Sequence, residues 1–151
     1  MFKITYKLNY KTITKSKISD SDFRYWYFFG DVILENDSDK ITISDVTIGD
    51  FAICINLVCK ELLSDRHVQT FSDFTDEETK IVYTRNDDAL HIDFDPYNCR
   101  GDNYHMNISM KEFACGAKIF YSAVEQGLTA INPFLAPLFP IWGYIPCAYN
   151  C

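Results

Sequence analysis

Residues 2–8 alternate apolar and polar side chains, which predicts a β-strand with one buried face. Lysines on its other face would discourage unwanted pairing if this strand lies at a sheet edge. Residues 23–35 are rich in aromatic and β-branched residues and predict a second strand, with a bend or bulge at Gly30. After a turn cluster at 36–39, alternation resumes over 40–44. These two segments predict a hairpin.

The hydrophobic period changes to that of a helix after Gly49, and predicts a helix over about 50–65 with Asp50 as its N-cap. A second helix is predicted over about 110–126. Ser109 and Glu112 match a capping box at its start, and Gly127 fits a position just beyond its end.

Four short strands are predicted between the two helices, over residues 68–74, 80–84, 89–94 and 104–108. Strands and helices do not alternate as they would in repeated βαβ units. We therefore predict an α+β fold with a mostly antiparallel sheet and two main helices. At 151 residues, the chain is expected to form a single domain spanning 1–151.

The segment from residue 126 to residue 151 carries no charged side chain. Its four prolines would repeatedly break a membrane-spanning helix, so we expect no span. We instead predict an extended tail over 128–151, packed on the domain through five apolar anchors: Phe134, Leu135, Phe139, Ile141 and Trp142.

The amino-terminal residues contain no uninterrupted apolar run of the kind a secretory signal requires, which predicts a cytoplasmic protein. In that reducing compartment the six cysteines would be free thiols that pack as small apolar groups. No CxxC motif occurs, so a structural zinc is not expected.

The pattern His91-Ile-Asp93-Phe-Asp95 would place a histidine and two carboxylates on one face of a strand. Such a set can bind a divalent metal or perform acid–base catalysis, and His105 on a neighbouring strand could join it. The same three residues also fit the solvent-facing side of a half-buried strand. Because no catalytic motif accompanies them, we favour this second interpretation and expect neither catalysis nor a bound metal.

The sequence contains no glycine-rich phosphate-binding motif, and we expect no cofactor. The net charge of −7 disfavours direct binding to nucleic acid. Five lysines and no acid lie within the first 17 residues, whereas acids predominate from Asp20 onward. This charge distribution favours a basic protein as the partner.

An acidic surface that steers a basic partner is therefore our hypothesis for the segment from 73 to 102. Tyrosines would add the ring contacts that interface hot spots favour. The predicted contact residues are Asp73, Asp76, Glu77, Glu78, Tyr83, Asp87, Asp88, Asp93, Asp95, Tyr97 and Asp102.

The aromatic run at 25–30 and the sequence Ile48-Gly-Asp-Phe-Ala-Ile-Cys-Ile-Asn-Leu, in a small acidic α+β chain, resemble bacterial immunity proteins. Proteins of this kind are encoded beside polymorphic toxins, including those of contact-dependent growth inhibition systems. The resemblance concerns size, acidity, aromatic content and order of elements over about residues 2–125. It implies a non-enzymatic antitoxin that binds and neutralises a cognate toxin domain, typically a nuclease with a basic cleft.

Two other functions are compatible with the sequence. One is a small metal-dependent or acid–base hydrolase that uses His91, Asp93 and Asp95. The other is an accessory subunit that docks through its aromatic carboxy-terminal tail.

Overall fold

The computed structural model describes residues 1–9, 17–25, 27–73, 80–97 and 99–151, with only the backbone of Tyr25 and Asp73. Within these ranges the fold is α+β, as predicted, and its strands form two antiparallel sheets. The strands are β1 Lys3–Leu8, β2 Phe29–Glu35, β3 Lys40–Thr47, β4 His67–Asp73, β5 Lys80–Asn86, β6 Ala89–Phe94, β7 Cys99–Arg100 and β8 His105–Ser109. The helices are α1 Asp20–Tyr25, α2 Ile48–Ser64, α3 Met110–Ile131 and α4 Leu138–Trp142, with a 3₁₀ turn at Pro133–Leu135.

The first sheet has the strand order β1-β2-β3-β7, so β1 lies at an edge. β2 and β3 form the predicted hairpin. Their register shifts between Gly30 and Val32, which confirms the irregularity predicted at Gly30. A glycine is required here because a Cβ atom at position 30 would clash with the carbonyl oxygen of Lys7.

The second sheet has the order β4-β5-β6-β8, and all its pairs are antiparallel. Its four strands correspond to the four predicted between the helices, with shifts of one or two residues at their ends. On one side of this sheet, the apolar side chains at every second strand position pack into the core. The opposite side faces solvent and is called the outer face below.

The prediction of strand from residue 23 was wrong for its first part. Helix α1 occupies Asp20–Tyr25, and β2 begins only at Phe29. Ser19 explains the helix, since its hydroxyl accepts a hydrogen bond from the backbone N–H of Asp22 at 3.0 Å. Phe23 then lies fully buried, stacked on Trp142 at a ring distance of 5.0 Å. Tertiary packing therefore overrides the β propensity of the aromatic run.

Helix α2 begins at Ile48, with Thr47 as its N-cap residue, so Asp50 is not the predicted cap. The Asp50 carboxylate is buried and accepts two hydrogen bonds from the Arg24 guanidinium, each 2.8 Å long. Gly49 lies inside the first turn, where a Cβ atom would collide with the Phe23 ring. The glycine is needed for this close packing of α1 on α2.

Helix α3 has the predicted capping box, in which the Ser109 hydroxyl accepts from the Glu112 N–H and Glu112 accepts from the Ser109 N–H. The helix continues to Ile131, so Gly127 is an internal residue and not the predicted terminator. A Cβ atom at position 127 would meet the Tyr6 hydroxyl. This glycine therefore allows β1 to approach the helix.

The carboxy-terminal segment is partly helical and not the extended tail that we predicted for 128–151. It contains the last turn of α3, the 3₁₀ turn and α4. Of the five predicted anchors, Leu135 and Phe139 are fully buried and Trp142 is half-buried. Phe134 and Ile141 are exposed instead, by 55% and 76%. The fully buried Asn56 holds the end of α4, because its amide donates to the carbonyl oxygens of Trp142 and Gly143.

The expectation of six free thiols was also wrong. Cys115 of α3 and Cys151 form a disulfide, whereas Cys54, Cys59, Cys99 and Cys147 are not disulfide-bonded. Disulfides persist mainly in oxidising compartments, so this bond counts against our cytoplasmic prediction. In the part of the chain that the structure describes, no helix is long and apolar enough to cross a membrane.

Candidate partner-binding face

The outer face of the second sheet results from strict alternation along its strands. On β5 and β6, Ile81, Tyr83, Leu90, Ile92 and Phe94 point into the core. The intervening residues therefore point to solvent. Those that define the outer face are His67, Gln69 and Phe71 of β4, Lys80, Val82 and Thr84 of β5, His91 and Asp93 of β6, and His105 and Asn107 of β8.

The strand register places these side chains in rows across the sheet. Asp93 lies between Val82 and His105, and His91 lies between Thr84 and Asn107. All three histidines of the chain lie on this face. The His91 and His105 rings are 5.9 Å apart, centroid to centroid.

His91 is the best-connected polar residue of the outer face. Its Nδ1 lies 2.7 Å from Asn107 Oδ1, and its Nε2 lies 3.0 Å from Asp93 Oδ1. Both partners accept hydrogen bonds, so the doubly protonated imidazolium fits this arrangement. The bond to Asn107, supported by the charge of Asp93, raises the pKa of His91 above its usual 6.5. The protonated His91 ring therefore stabilises the folded protein. This contribution is fully present below the usual pKa of histidine and is lost as the pH rises through the raised pKa of His91.

We expect the variant Asn107→Ala to lower the pKa of His91 towards its usual value, because it removes the hydrogen bond that contributes most to the raised pKa. An NMR titration of the His91 ring protons measures this change. Gln69→Ala is the matched control, since the Gln69 amide bonds Thr84 Oγ1 at 2.9 Å and not His91. An unchanged His91 pKa in Asn107→Ala would show that the bond does not stabilise the charged ring.

Acidic residues lie at both ends of the outer face. Asp87 and Asp88 form the two-residue turn between β5 and β6, and both are exposed. Asp87 has a φ of 53°, a left-handed conformation that aspartate tolerates better than most residues. Asp95 follows the other end of β6, about 20 Å away at the usual rise per strand residue.

Two further predicted contact residues lie beyond the Asp95 end of the sheet. Tyr97 is 88% exposed, and Asp102 is exposed in the loop between β7 and β8. In the described ranges, no ion pair joins Asp88, Asp95 or Asp102 to a lysine or arginine. Asp87 lies 3.6 Å from His67, and Asp93 pairs with His91. A basic partner could therefore approach these carboxylates without displacing a lysine or arginine from them.

Tyr83 does not belong to this surface, although we predicted it as a contact. Its ring is fully buried against Phe113 of α3, at a ring distance of 5.5 Å. The alternation of β5 explains this position, because Tyr83 shares the inward face with Ile81. Asp73 ends β4, but its side chain, like Asp76, Glu77 and Glu78 as a whole, lies outside the described residues.

A shallow concavity of about 540 Å³ lies beside His91 on the outer face. Thr84, Asn86, Asn107 and Glu112 contribute polar groups to it. Asn107 and Thr84 were missing from our predicted contacts because that prediction considered only acids and tyrosines. The alternation of β5 and β8 could have placed both on the same face as His91.

The three residues of the hydrolase hypothesis are not brought together as a set. His91 contacts Asp93, but Asp95 turns to accept the backbone N–H of Tyr97 at 2.9 Å. Among the described residues, no group of three histidine, cysteine, aspartate or glutamate side chains could hold a metal ion. The arrangement is a polar sheet face on which His91, Asn107 and Asp93 are hydrogen-bonded to one another.

The fold and this surface define an α+β protein with a polar, acid-flanked sheet face. No family model, curated protein or solved structure matches the chain. Any functional assignment therefore depends on the chemistry of its own surfaces.

Proposed function

We propose that the protein is an antitoxin of the immunity-protein type, which binds a basic toxin domain through the outer face of its second sheet. The observation that supports this proposal is the position of three acids that form no ion pair with a lysine or arginine among the described residues. Asp88 lies at one end of the face, and Asp95 and Asp102 lie at the other. A nuclease domain with a basic cleft would fit between these two groups.

Hydrogen-bonding side chains between the acids would fix the orientation in which the partner binds. Thr84, Asn107 and Gln69 can each donate and accept on the outer face. Phe71 supplies an exposed ring, with the Lys80 amine 4.5 Å above its centre. Electrostatic attraction would accelerate the encounter, and these neutral contacts would slow dissociation.

The alternative of docking through the carboxy-terminal segment has less support. Leu135 and Phe139, two of the apolar residues that such docking would use, are already buried in the protein's own core. The hydrolase alternative has less support as well, because Asp95 is engaged with the Tyr97 backbone.

Binding should weaken when acids of the outer face are neutralised. We expect the double variant Asp88→Asn/Asp93→Asn to lower the association rate with the toxin domain encoded by the adjacent reading frame by about tenfold at low salt. Asp22→Asn/Asp45→Asn is the matched control, since it removes two exposed acids from other elements. Surface plasmon resonance at several salt concentrations measures both rates.

The proposal fails if the protein does not bind that toxin domain at low salt, or if no adjacent reading frame encodes a toxin domain. It also fails if the two double variants slow association equally, because the net charge alone would then explain the attraction. Preserved thermal unfolding of both variants ensures that the comparison concerns folded protein.

A further inference from the structure

A second surface, between β1 and α3, differs in character from the outer face, although Glu112 lines both this surface and the concavity beside His91. A groove of about 640 Å³ runs between β1 and α3. Its floor includes Gly116 and Cys115 of α3, and Ile119 lines it while remaining 64% exposed. Lys3, Lys111 and the acidic Glu112 also line it, in a chain whose net charge is −7. The groove is thus largely apolar, with two lysines and one glutamate among its lining residues. We call it the β1–α3 groove.

The β1 strand presents an unpaired edge to this groove. The Asn9 N–H donates to the Phe29 carbonyl oxygen at 3.0 Å, which identifies the odd-numbered residues of β1 as those hydrogen-bonded to β2. Antiparallel pairing alternates between residues that bond one neighbour and residues that face the other side. The backbone groups of Ile4 and Tyr6 therefore point away from β2. In the described ranges, no strand pairs with this edge.

The side chains along β1 indicate what an added strand would need. Lys3, Thr5 and Lys7 are exposed on the side of the sheet away from α3. A strand beside β1 would place every second side chain next to these residues and the remaining side chains over the β1–α3 groove. The side chains next to these lysines would be acidic, and those over the β1–α3 groove would be apolar.

Lys3, Lys7 and Lys111 can still form ion pairs with an acidic partner segment. Lys3 lies 3.8 Å from Glu35, and both side chains are exposed, so this contact is weak in water. For Lys7 and Lys111, the described residues include no ion-pair partner. The same lysines disfavour pairing of β1 with β1 of a second copy, because like charges would then lie on adjacent strands.

We propose that the β1–α3 groove binds an extended protein segment with alternating acidic and apolar residues, which adds to the first sheet beside β1. Backbone hydrogen bonds to Ile4 and Tyr6 would hold the segment, as in other complexes formed by strand addition. Its apolar side chains would cover Ile119 and Gly116. This site would take a partner opposite in charge to the one proposed for the outer face.

A synthetic peptide with the sequence Glu-Val-Glu-Val-Glu-Val-Glu and blocked ends tests the proposal, with a Lys–Val peptide of the same pattern as its charge-reversed counterpart. We expect the acidic peptide to shift the backbone amide NMR signals of Ile4 and Tyr6. Ile119→Glu should weaken this binding at least tenfold, because it places a charge in the apolar contact. Ile141→Glu, at a position that is 76% exposed elsewhere, should leave it unchanged.

Three results would overturn the proposal. The first is no shift at β1 with millimolar acidic peptide. The second is equal binding of the Lys–Val peptide at this edge. The third is a shift of the β1 amides with protein concentration alone, which would identify a second copy of the chain as the occupant. None of these results depends on whether a toxin domain binds the outer face.

Discussion

Replacing Phe139 with alanine is expected to lower the free energy of unfolding by about 4 kcal/mol. The ring is fully buried, and its neighbours Phe23, Tyr121 and Trp142 lie within 6.0 Å, centroid to centroid. Alanine would leave a cavity that these rings cannot easily fill, because they belong to three different helices. Urea denaturation with the Cys115–Cys151 disulfide intact measures the change.

Ile141→Ala is the control for Phe139→Ala, since it shortens an apolar side chain of the same helix that is 76% exposed. We expect a change within about 0.5 kcal/mol, as for most surface substitutions. If Phe139→Ala cost no more than Ile141→Ala, α4 would not be packed as the structure shows.

Replacing Arg24 with methionine is expected to destabilise the protein by about 3 kcal/mol. Methionine keeps much of the length and apolar stem of arginine but removes both hydrogen bonds to Asp50. The Asp50 side chain is only 4% exposed, so its carboxylate would be left buried without the guanidinium. Thermal and urea unfolding of the variant measure the loss.

Arg24→Lys should recover part of that stability, because an ammonium restores the charge but not the paired geometry of the guanidinium. Lys7→Met removes an exposed cation from β1 and is the matched control, with an expected change within about 0.5 kcal/mol. Equal effects of Arg24→Met and Lys7→Met would contradict a structural role for the Arg24–Asp50 pair.

The elements with a clear period were predictable from the sequence. Strict alternation located β1 and β6, and the capping box located the start of α3. These signals come from residues that are close in the sequence, so they do not depend on the tertiary contacts that the element makes.

The errors arose where distant contacts decide the outcome. Gly127 lies inside α3, where the Tyr6 hydroxyl leaves no room for a Cβ atom, and Asp50 pairs with Arg24 instead of capping α2. The pairing of Cys115 with Cys151 likewise depends on how the last residues fold back onto α3. A single sequence contains no direct signal for such contacts.

The candidate site, like the fold, was predictable only in part from the sequence. Alternation correctly placed His91 and Asp93 on one exposed face. Charge counting did not distinguish the inward Tyr83 from its exposed neighbours, and it gave no weight to neutral residues such as Asn107. The β1–α3 groove was missed because it requires the sheet order and the path of α3 together.

Carboxyl footprinting of the complex tests the central claim most directly. The protein is labelled with a carbodiimide and glycine ethyl ester, alone and with the adjacent-frame toxin domain, and the label at each acid is measured by mass spectrometry. We predict that Asp88, Asp93 and Asp102 lose labelling in the complex while Asp22 and Asp45 keep it. Protection of Asp22 or Asp45 with full labelling of the outer-face acids would contradict the account.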